Sequence, residues 1–340
     1  MSYIKVDKAK IVHNLELIKS HVGSFDKIAV VLKDDAYGHG ALNVAKICFD
    51  LGIKRAIVRH EREAVEIKDF FENILILTGG ENSFHEGFEY TINDICDIQY
   101  FNKNSKVHIK VDTGMHRNGV DMDSIEQCML KCVEKNIQIC GVFTHYRSAD
   151  ILSSEFFWQF KNFETVKKRV IEYSKLLNIS LPKFHSCNSS ATFRLKNIDD
   201  DFVRIGIAMY GYLDMGVGFE KLDLKPAMSL FGEKISTRTI KKGQRVGYGG
   251  VFEAPKDMVI SAYDVGYGDG FFRANERKKI FTKDGREILG KVSMDNILVE
   301  GDSSEICIFN DVSAIAKEFD TISYDICVKL SKNIKRICDV

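Results

Sequence analysis

From residue 7 to residue 225 the chain repeats one pattern: a short apolar run, a polar connection, then a stretch with helical spacing. The apolar runs fall at residues 28–32, 56–58, 74–77, 95–98, 107–111, 139–143, 184–187 and 202–207. A continuous apolar run suits a strand covered on both faces, which is how parallel strands joined by helices are covered. Eight such units predict an α/β fold, a TIM-type (β/α)8 barrel over residues 7–225, in preference to an open doubly wound sheet. The helical stretches carry their own punctuation. Ile11, Leu15, Ile18 and Val22 recur at helical spacing between Asp7, a suitable N-cap, and Gly23, a stop; a second helix runs from Ala41 to a stop at Gly52.

In a closed barrel the strand ends meet at one mouth, and this sequence puts its polar residues there. They are Lys33, Lys110 with Asp112, Thr144 with His145, His185 with Asn188, and Arg204 with Gly206. Lysine is seldom buried without a partner, so an amine ending a core strand is either a snorkelling edge residue or a placed reactive group. The connection after it, residues 34–40, is dense in Asp, Tyr, His and Gly, the composition of a functional strand-to-helix loop. The segment at residues 204–211 ends the eighth run, and the loops after the seventh and eighth strands are where free backbone N–H groups commonly hold a phosphate. Gly206 and Ile207 are the candidate donors, with a purely structural turn an equal alternative on spacing. Ser189 and its neighbours read equally as an anion site or as the N-cap of the helix at Ala191.

After Lys225 and Pro226 the helical periodicity fades and glycines cluster, which predicts a mostly β second domain over residues 226–340, joined by a strand from residues 1–6. Those glycines do not form a dinucleotide-binding G-x-G-x-x-G. Lys and Arg number 48 against 48 Asp and Glu, so no net field favours nucleic acid or an anionic membrane. There is no apolar run of membrane-spanning length and no signal-like start, which predicts a cytoplasmic protein. The nine cysteines are scattered, without C-x-x-C or zinc spacing, so no metal site is expected; Cys128 and Cys132 share one helix face as core residues.

Seven segments carry a resemblance to one family. Lys33-Asp34-Asp35-Ala36-Tyr37-Gly38-His39-Gly40 resembles the K-A-x-A-Y-G-H-G motif of alanine racemases, departing from it at Asp34. Residues 110–119 resemble K-x-D-T-G-M-x-R-x-G, residues 144–150 T-H-F-x-x-A-D, residues 185–189 H-x-x-N-S, residues 204–211 the arginine and phosphate motif, residues 266–270 G-Y-A-D-G, and residues 290–295 G-R-V-x-M-D. The order is the family's, and the matches span both expected domains.

The resemblance implies a homodimeric isomerase that uses pyridoxal 5′-phosphate to interconvert L- and D-alanine, supplying D-alanine for peptidoglycan in a bacterium. It implies that Lys33 carries the cofactor and serves as one base, while Tyr267 from the partner subunit serves as the other. Arg204 would face the pyridine nitrogen; Tyr37, Asn188, Ser189, Gly206, Ile207 and Tyr210 would hold the cofactor, with His145 near its ring. Arg117, Met294 and Asp295 would meet the substrate side, and Lys110 is a candidate for carbamylation. Near the C-terminus, where the family can carry a further tyrosine, Lys332 stands roughly in its place and predicts a more cationic entrance. A serine or broader-specificity racemase is the first alternative. A decarboxylase of the same fold is disfavoured by the missing glycine triplet and by Tyr267 in place of a cysteine. A barrel that only carries the cofactor is disfavoured by the second domain.

Overall fold

The chain is represented by a computed structural model that describes residues 1–78, 85, 87–273 and 278–338. Parts of the predicted second domain, residues 274–277 and 339–340, lie outside the described residues. Eight parallel strands form one sheet in the order Val203–Ile205, Ile28–Val31, Arg55–Val58, Asn73–Ile76, Phe88–Ile92, Lys106–Asp112, Gln138–Phe143 and Lys183–His185. The first and last of these approach each other across a seam: Arg204 N–H donates to the Cys187 carbonyl at 2.9 Å, and Asp201 N–H to the Phe184 carbonyl at 2.9 Å. The sheet is therefore a nearly closed barrel, with the apolar runs that form its strands largely buried.

One strand differs from expectation. The fourth is Phe88–Ile92, and the apolar run at 95–98 is a 3-10 turn, Ile95–Tyr100. Local polar groups decide this. Asp94 accepts from Cys96 N–H at 2.8 Å, while Asp97 accepts from the N–H groups of Asn93 and Asp94 at 3.0 and 2.9 Å. Side chains that satisfy nearby backbone donors compete with a strand ladder. The true strand escapes a search for apolar runs because Glu89 and Thr91 interrupt it.

The helices obey their caps. Lys8–Val22 starts at Asp7, whose carboxylate accepts from Lys10 N–H at 3.1 Å, and stops at Gly23 with φ 99°. Cys128 and Cys132 are buried together on Ile125–Glu134.

A second, mixed sheet is built on the 13-residue strand Met228–Ile240. It pairs antiparallel with Tyr3–Val6, Met258–Tyr263 and Glu305–Phe309, and Tyr3–Val6 pairs in parallel with Lys335–Cys338. Both ends of the chain thus meet in this sheet. The short helix Ser323–Lys329 packs against the segment after the first barrel strand, carrying part of the β region to the barrel mouth. Among the described residues, no helix is long and apolar enough to cross a membrane.

Candidate active site

A cavity of about 670 Å³ opens at the mouth where the barrel strands end. Its wall gathers Lys33, Tyr37, Lys110, Arg117, His145, Asn188, Ser189, Arg204, Gly206 and Ile207, which lie far apart in sequence. The barrel is what converges them: each follows or ends a strand, and the strands all point the same way.

Lys33 begins an unusual turn. Asp34, Asp35, Ala36 and Tyr37 all have left-handed helical backbone, with φ between 52° and 57°. L-residues resist this conformation by roughly 1–2 kcal/mol each, so the surroundings must hold it. Glu63, itself buried, accepts from Asp34 N–H at 2.7 Å and from Arg59 N–H at 2.8 Å. Asp35 accepts from Ala41 N–H at 2.8 Å, and Arg336 donates to the Gly38 carbonyl at 3.1 Å. The turn carries Tyr37 across the cavity floor. A side chain at Gly206 would put its Cβ 2.7 Å from the Tyr37 hydroxyl, so Gly206 supplies the space in which Tyr37 lies.

Burial lowers the basicity of Lys33, and the Arg117 and Arg59 charges add to this against the opposing pull of Asp34 and Glu63. Asp34, where the family pattern has a small residue, lies 3.7 Å from the Arg59 guanidinium. Lys110 is pushed down to about 8 by burial and by the charges of Arg117 and Arg204. Its amine donates to the Asn118 side-chain oxygen. The same two causes, burial first and then the Arg204, Arg117, Lys110 and Lys33 charges, hold His145 well below the ordinary histidine range, so its ring is neutral.

Arg204 is buried with its Nη groups fully engaged. Nη1 donates to His185, to the ring Nδ1 at 3.2 Å and to the carbonyl; Nη2 donates to the carbonyls of Thr144 and Ser186 at 2.7 and 3.0 Å. Across the seam, the Ser189 hydroxyl oxygen lies 3.2 Å from Gly206 N and 3.5 Å from Ala208 N. The helix Ser189–Arg194 is capped by Asn188, which accepts from Ala191 N–H at 2.9 Å. Capping therefore falls to Asn188, and Ser189 is released to face the Gly206 turn.

Four expected residues lie elsewhere. Tyr210 is buried behind the wall, where its hydroxyl donates to the Val31 carbonyl at 3.3 Å and its ring packs against Tyr37 and His39. Tyr267, Met294 and Asp295 form a separate exposed cluster on the β region. Tyr267 N–H donates to the Ser293 carbonyl at 3.0 Å and Gly268 N–H to the Met294 carbonyl at 2.8 Å. Tyr267 is 40% exposed and Met294 54%.

Several wall residues were not anticipated, among them Arg59, Asn93 and an aromatic one. Tyr324, on Ser323–Lys329, lines the cavity with Ile322, its ring 5.8 Å from that of Tyr37. Lys332 is exposed and is not part of the wall, where Tyr324 and Ile322 stand instead. The signal available in sequence was a tyrosine beginning an amphipathic turn, which is weak.

A nearly closed parallel barrel with a separate β region, whose mouth presents a lysine of weakened basicity beside a buried arginine and a backbone cradle, defines a class: two-part barrel enzymes. The comparisons narrow it. The family profile "Alanine racemase, N-terminal domain" matches residues 6–214, and "Alanine racemase, C-terminal domain" matches residues 227–338. The alanine racemase of a Nitratiruptor species is 50% identical over 336 residues, 99% of each chain. The solved alanine racemase of Clostridium difficile 630 superposes with a TM-score of 0.89 at 25% identity, covering 99% of this chain and 95% of that one. That of Bartonella henselae, solved with covalently bound pyridoxal phosphate, shares the fold with a TM-score of 0.84 at 24% identity, covering 99% of each chain. The chain belongs to the alanine racemase family, a family of isomerases.

Proposed function

We propose that this protein interconverts L- and D-alanine with pyridoxal 5′-phosphate held at the barrel mouth, as a homodimer whose active sites are shared between subunits. The observation that carries this reading is the cavity itself: an amine of lowered basicity, a buried guanidinium and the turn at Gly206 and Ile207 with the Ser189 hydroxyl line one space. These groups fit the cofactor's three handles. Lys33 Nζ is the point of attachment to its carbonyl carbon. The Ser189 hydroxyl and the Gly206 and Ile207 N–H groups suit the phosphate, with Asn188 and Tyr37 bounding it. Arg204, whose Nη donors are already committed, has Nε–H for the pyridine nitrogen.

When bound, the cofactor draws electrons from the substrate Cα–H bond. The residues do the rest. Guanidinium keeps its proton at any relevant pH, so Arg204 donates a hydrogen bond without transferring the proton, which limits the electron demand and disfavours side reactions. Racemisation needs a base on each face of Cα. Lys33, as a free amine, would accept the proton of the D-enantiomer at Nζ. Tyr267 of the partner subunit accepts that of the L-enantiomer. Arg117 orients the cofactor and substrate, and the partner's Met294 and Asp295 close the entrance. His145, neutral, stands in the same wall as Arg204 and would lie near the cofactor ring.

Lys110 is suited to carbamylation: its depressed basicity leaves neutral amine near physiological pH, and that amine joins carbon dioxide with loss of one proton. The resulting anion would face Arg117, where an ammonium would be repelled. On this reading residues 7–225 form the cofactor-binding domain and 226–340, with 1–6, the domain that supplies the partner's site. Supply of D-alanine for peptidoglycan, in the cytoplasm, is the corresponding role.

The test is racemisation of L- and D-alanine by the purified protein with added pyridoxal 5′-phosphate, with serine as comparator. Rapid interconversion of alanine in both directions, lost in Lys33→Ala, supports the reading. Equal or faster turnover of serine reassigns the substrate, and cofactor binding without racemisation overturns the reading.

A further inference from the structure

Beneath the site, a file of side chains, buried except for the partly exposed Glu89 at its end, runs through the barrel from Arg204 to the opposite mouth. Arg204 Nη1 lies 3.2 Å from His185 Nδ1, His185 Nε2 lies 2.8 Å from His108 Nδ1, and His108 Nε2 lies 3.0 Å from Glu89 Oε2. Neither His108 nor Glu89 falls at a defined position of any motif described above. His108 precedes Lys110 by two residues on one strand, so both side chains point into the barrel, one layer apart. Glu89 reaches a separate cavity of about 300 Å³ at the far mouth, lined also by Arg55, Lys106 and Lys183.

Only one arrangement of protons satisfies this file. Guanidinium donates and cannot accept, so His185 Nδ1 must present a lone pair. The neutral His185 ring then carries its hydrogen on Nε2 and donates it to His108 Nδ1. That ring in turn carries its hydrogen on Nε2 and donates it to the Glu89 carboxylate. A second proton on either ring would set donor against donor. The order runs from a fixed cation to an anion through two neutral imidazoles, and such chains polarise one another.

The surroundings are shaped to keep it. Phe143 and Phe202 stack on His185, with centroids at 4.7 and 4.4 Å. Gly141 is the strand partner of His108, and a Cβ there would lie 2.2 Å from His108 Nδ1, so the neighbouring strand leaves open the space the ring occupies. The second carboxylate oxygen of Glu89 accepts from Asn73 Nδ2 at 3.1 Å. Burial works against the Glu89 charge, but its pairing with His108, ahead of Lys106 and Lys183, holds the carboxyl below the usual range.

We infer that Glu89 and His108 are positioning residues of the racemase: they fix the tautomer of His185 from the far mouth of the barrel, and through it the orientation and hydrogen bonding of Arg204. This inference rests on the proposed function only for its kinetic arm; the proton order stands on the chain itself.

The experiment is a long-range ¹H–¹⁵N correlation spectrum of the full protein with ¹⁵N-labelled histidine, at neutral pH, paired with kinetics of Glu89→Gln. The spectrum is expected to show both His108 and His185 neutral and protonated on Nε2. Either ring protonated on Nδ1, or on both nitrogens, overturns the inference without recourse to any variant. In Glu89→Gln the anionic end is lost, and kcat is expected to fall about tenfold, the size seen when a ligating histidine loses its outer partner. KM, retained cofactor and thermal midpoint should stay unchanged, while the visible absorption maximum of the bound cofactor and the His185 ring-nitrogen shifts should move. A kcat within about twofold of the parent with unmoved His185 shifts overturns it, as does a loss that only tracks the thermal midpoint. If the parent protein racemises nothing, the functional reading fails, and the spectrum still decides the proton order.

Discussion

Lys33 and Tyr267, the two residues proposed to work on opposite faces of one carbon, sit in contrasting surroundings. Lys33 follows a buried strand where burial weakens its basicity, on a strained turn braced by Glu63 and Arg336. Tyr267 stands exposed on a glycine-flanked turn beside Met294 and Asp295, outside the wall of the cavity. On the proposed reading the first belongs to the site of its own chain, and the second, in an exposed apolar and acidic corner, would serve the site of a second copy.

The largest effect expected is at the buried half. Lys33→Ala should lower racemisation in both directions by at least about 10⁴-fold, since attachment and one base are lost together. Tyr267→Phe should lower it by about 10²–10⁴-fold, the range for one acid–base group, while leaving the cofactor bound. Full activity of Tyr267→Phe in both directions would break the comparison. Mixing the two inactive variants sharpens it. Random reassortment makes half of all dimers mixed, each with one intact and one doubly altered site, so about a quarter of parental activity should return. No recovery after verified exchange of subunits would show that each site is completed within its own chain.

Smaller effects probe the wall. Gly206→Ala would place a methyl 2.7 Å from the Tyr37 hydroxyl. Displacing the ring should cost about 1–3 kcal/mol, read as weakened retention of pyridoxal phosphate in dialysis. The smallest effect concerns Lys110, whose amine loses its proton near pH 8. Below that pH the ammonium form dominates and cannot take up carbon dioxide, so ¹³C-bicarbonate should give a carbamate carbonyl signal that strengthens as pH rises through about 8. The signal should vanish in Lys110→Gln; its persistence there would place the carbamate elsewhere.

Much of this contrast was legible in the sequence. Apolar runs ending in Lys33, Lys110, His145, Asn188 and Arg204 announced a barrel and its functional mouth, because parallel strands bury both faces and leave polar chemistry to their ends. The motif around Tyr267 pointed to the residue proposed as the second base, more than two hundred positions away. What the pattern obscured is instructive. The strand Phe88–Ile92 was hidden by Glu89, a charged residue facing the barrel interior and now placed at the end of the Arg204 file. The left-handed turn at Asp34–Tyr37 contains no glycine in those four positions, so no local preference announces it. Tyr324 took the place expected of Lys332 because the position depends on how Ser323–Lys329 docks on the barrel.

By itself the sequence determined the alternation of strands and helices, the residues at the strand ends and the family to which they belong, since each rests on periodicity or on contiguous motifs. Tertiary structure alone decided that Asp34–Tyr37 would bear a strained turn, that Gly141 would make room for His108, and that Glu89 would reach Arg204 through two imidazoles. Those outcomes depend on side chains distant in sequence supplying space, charge or a hydrogen bond to one another, and no local pattern encodes that.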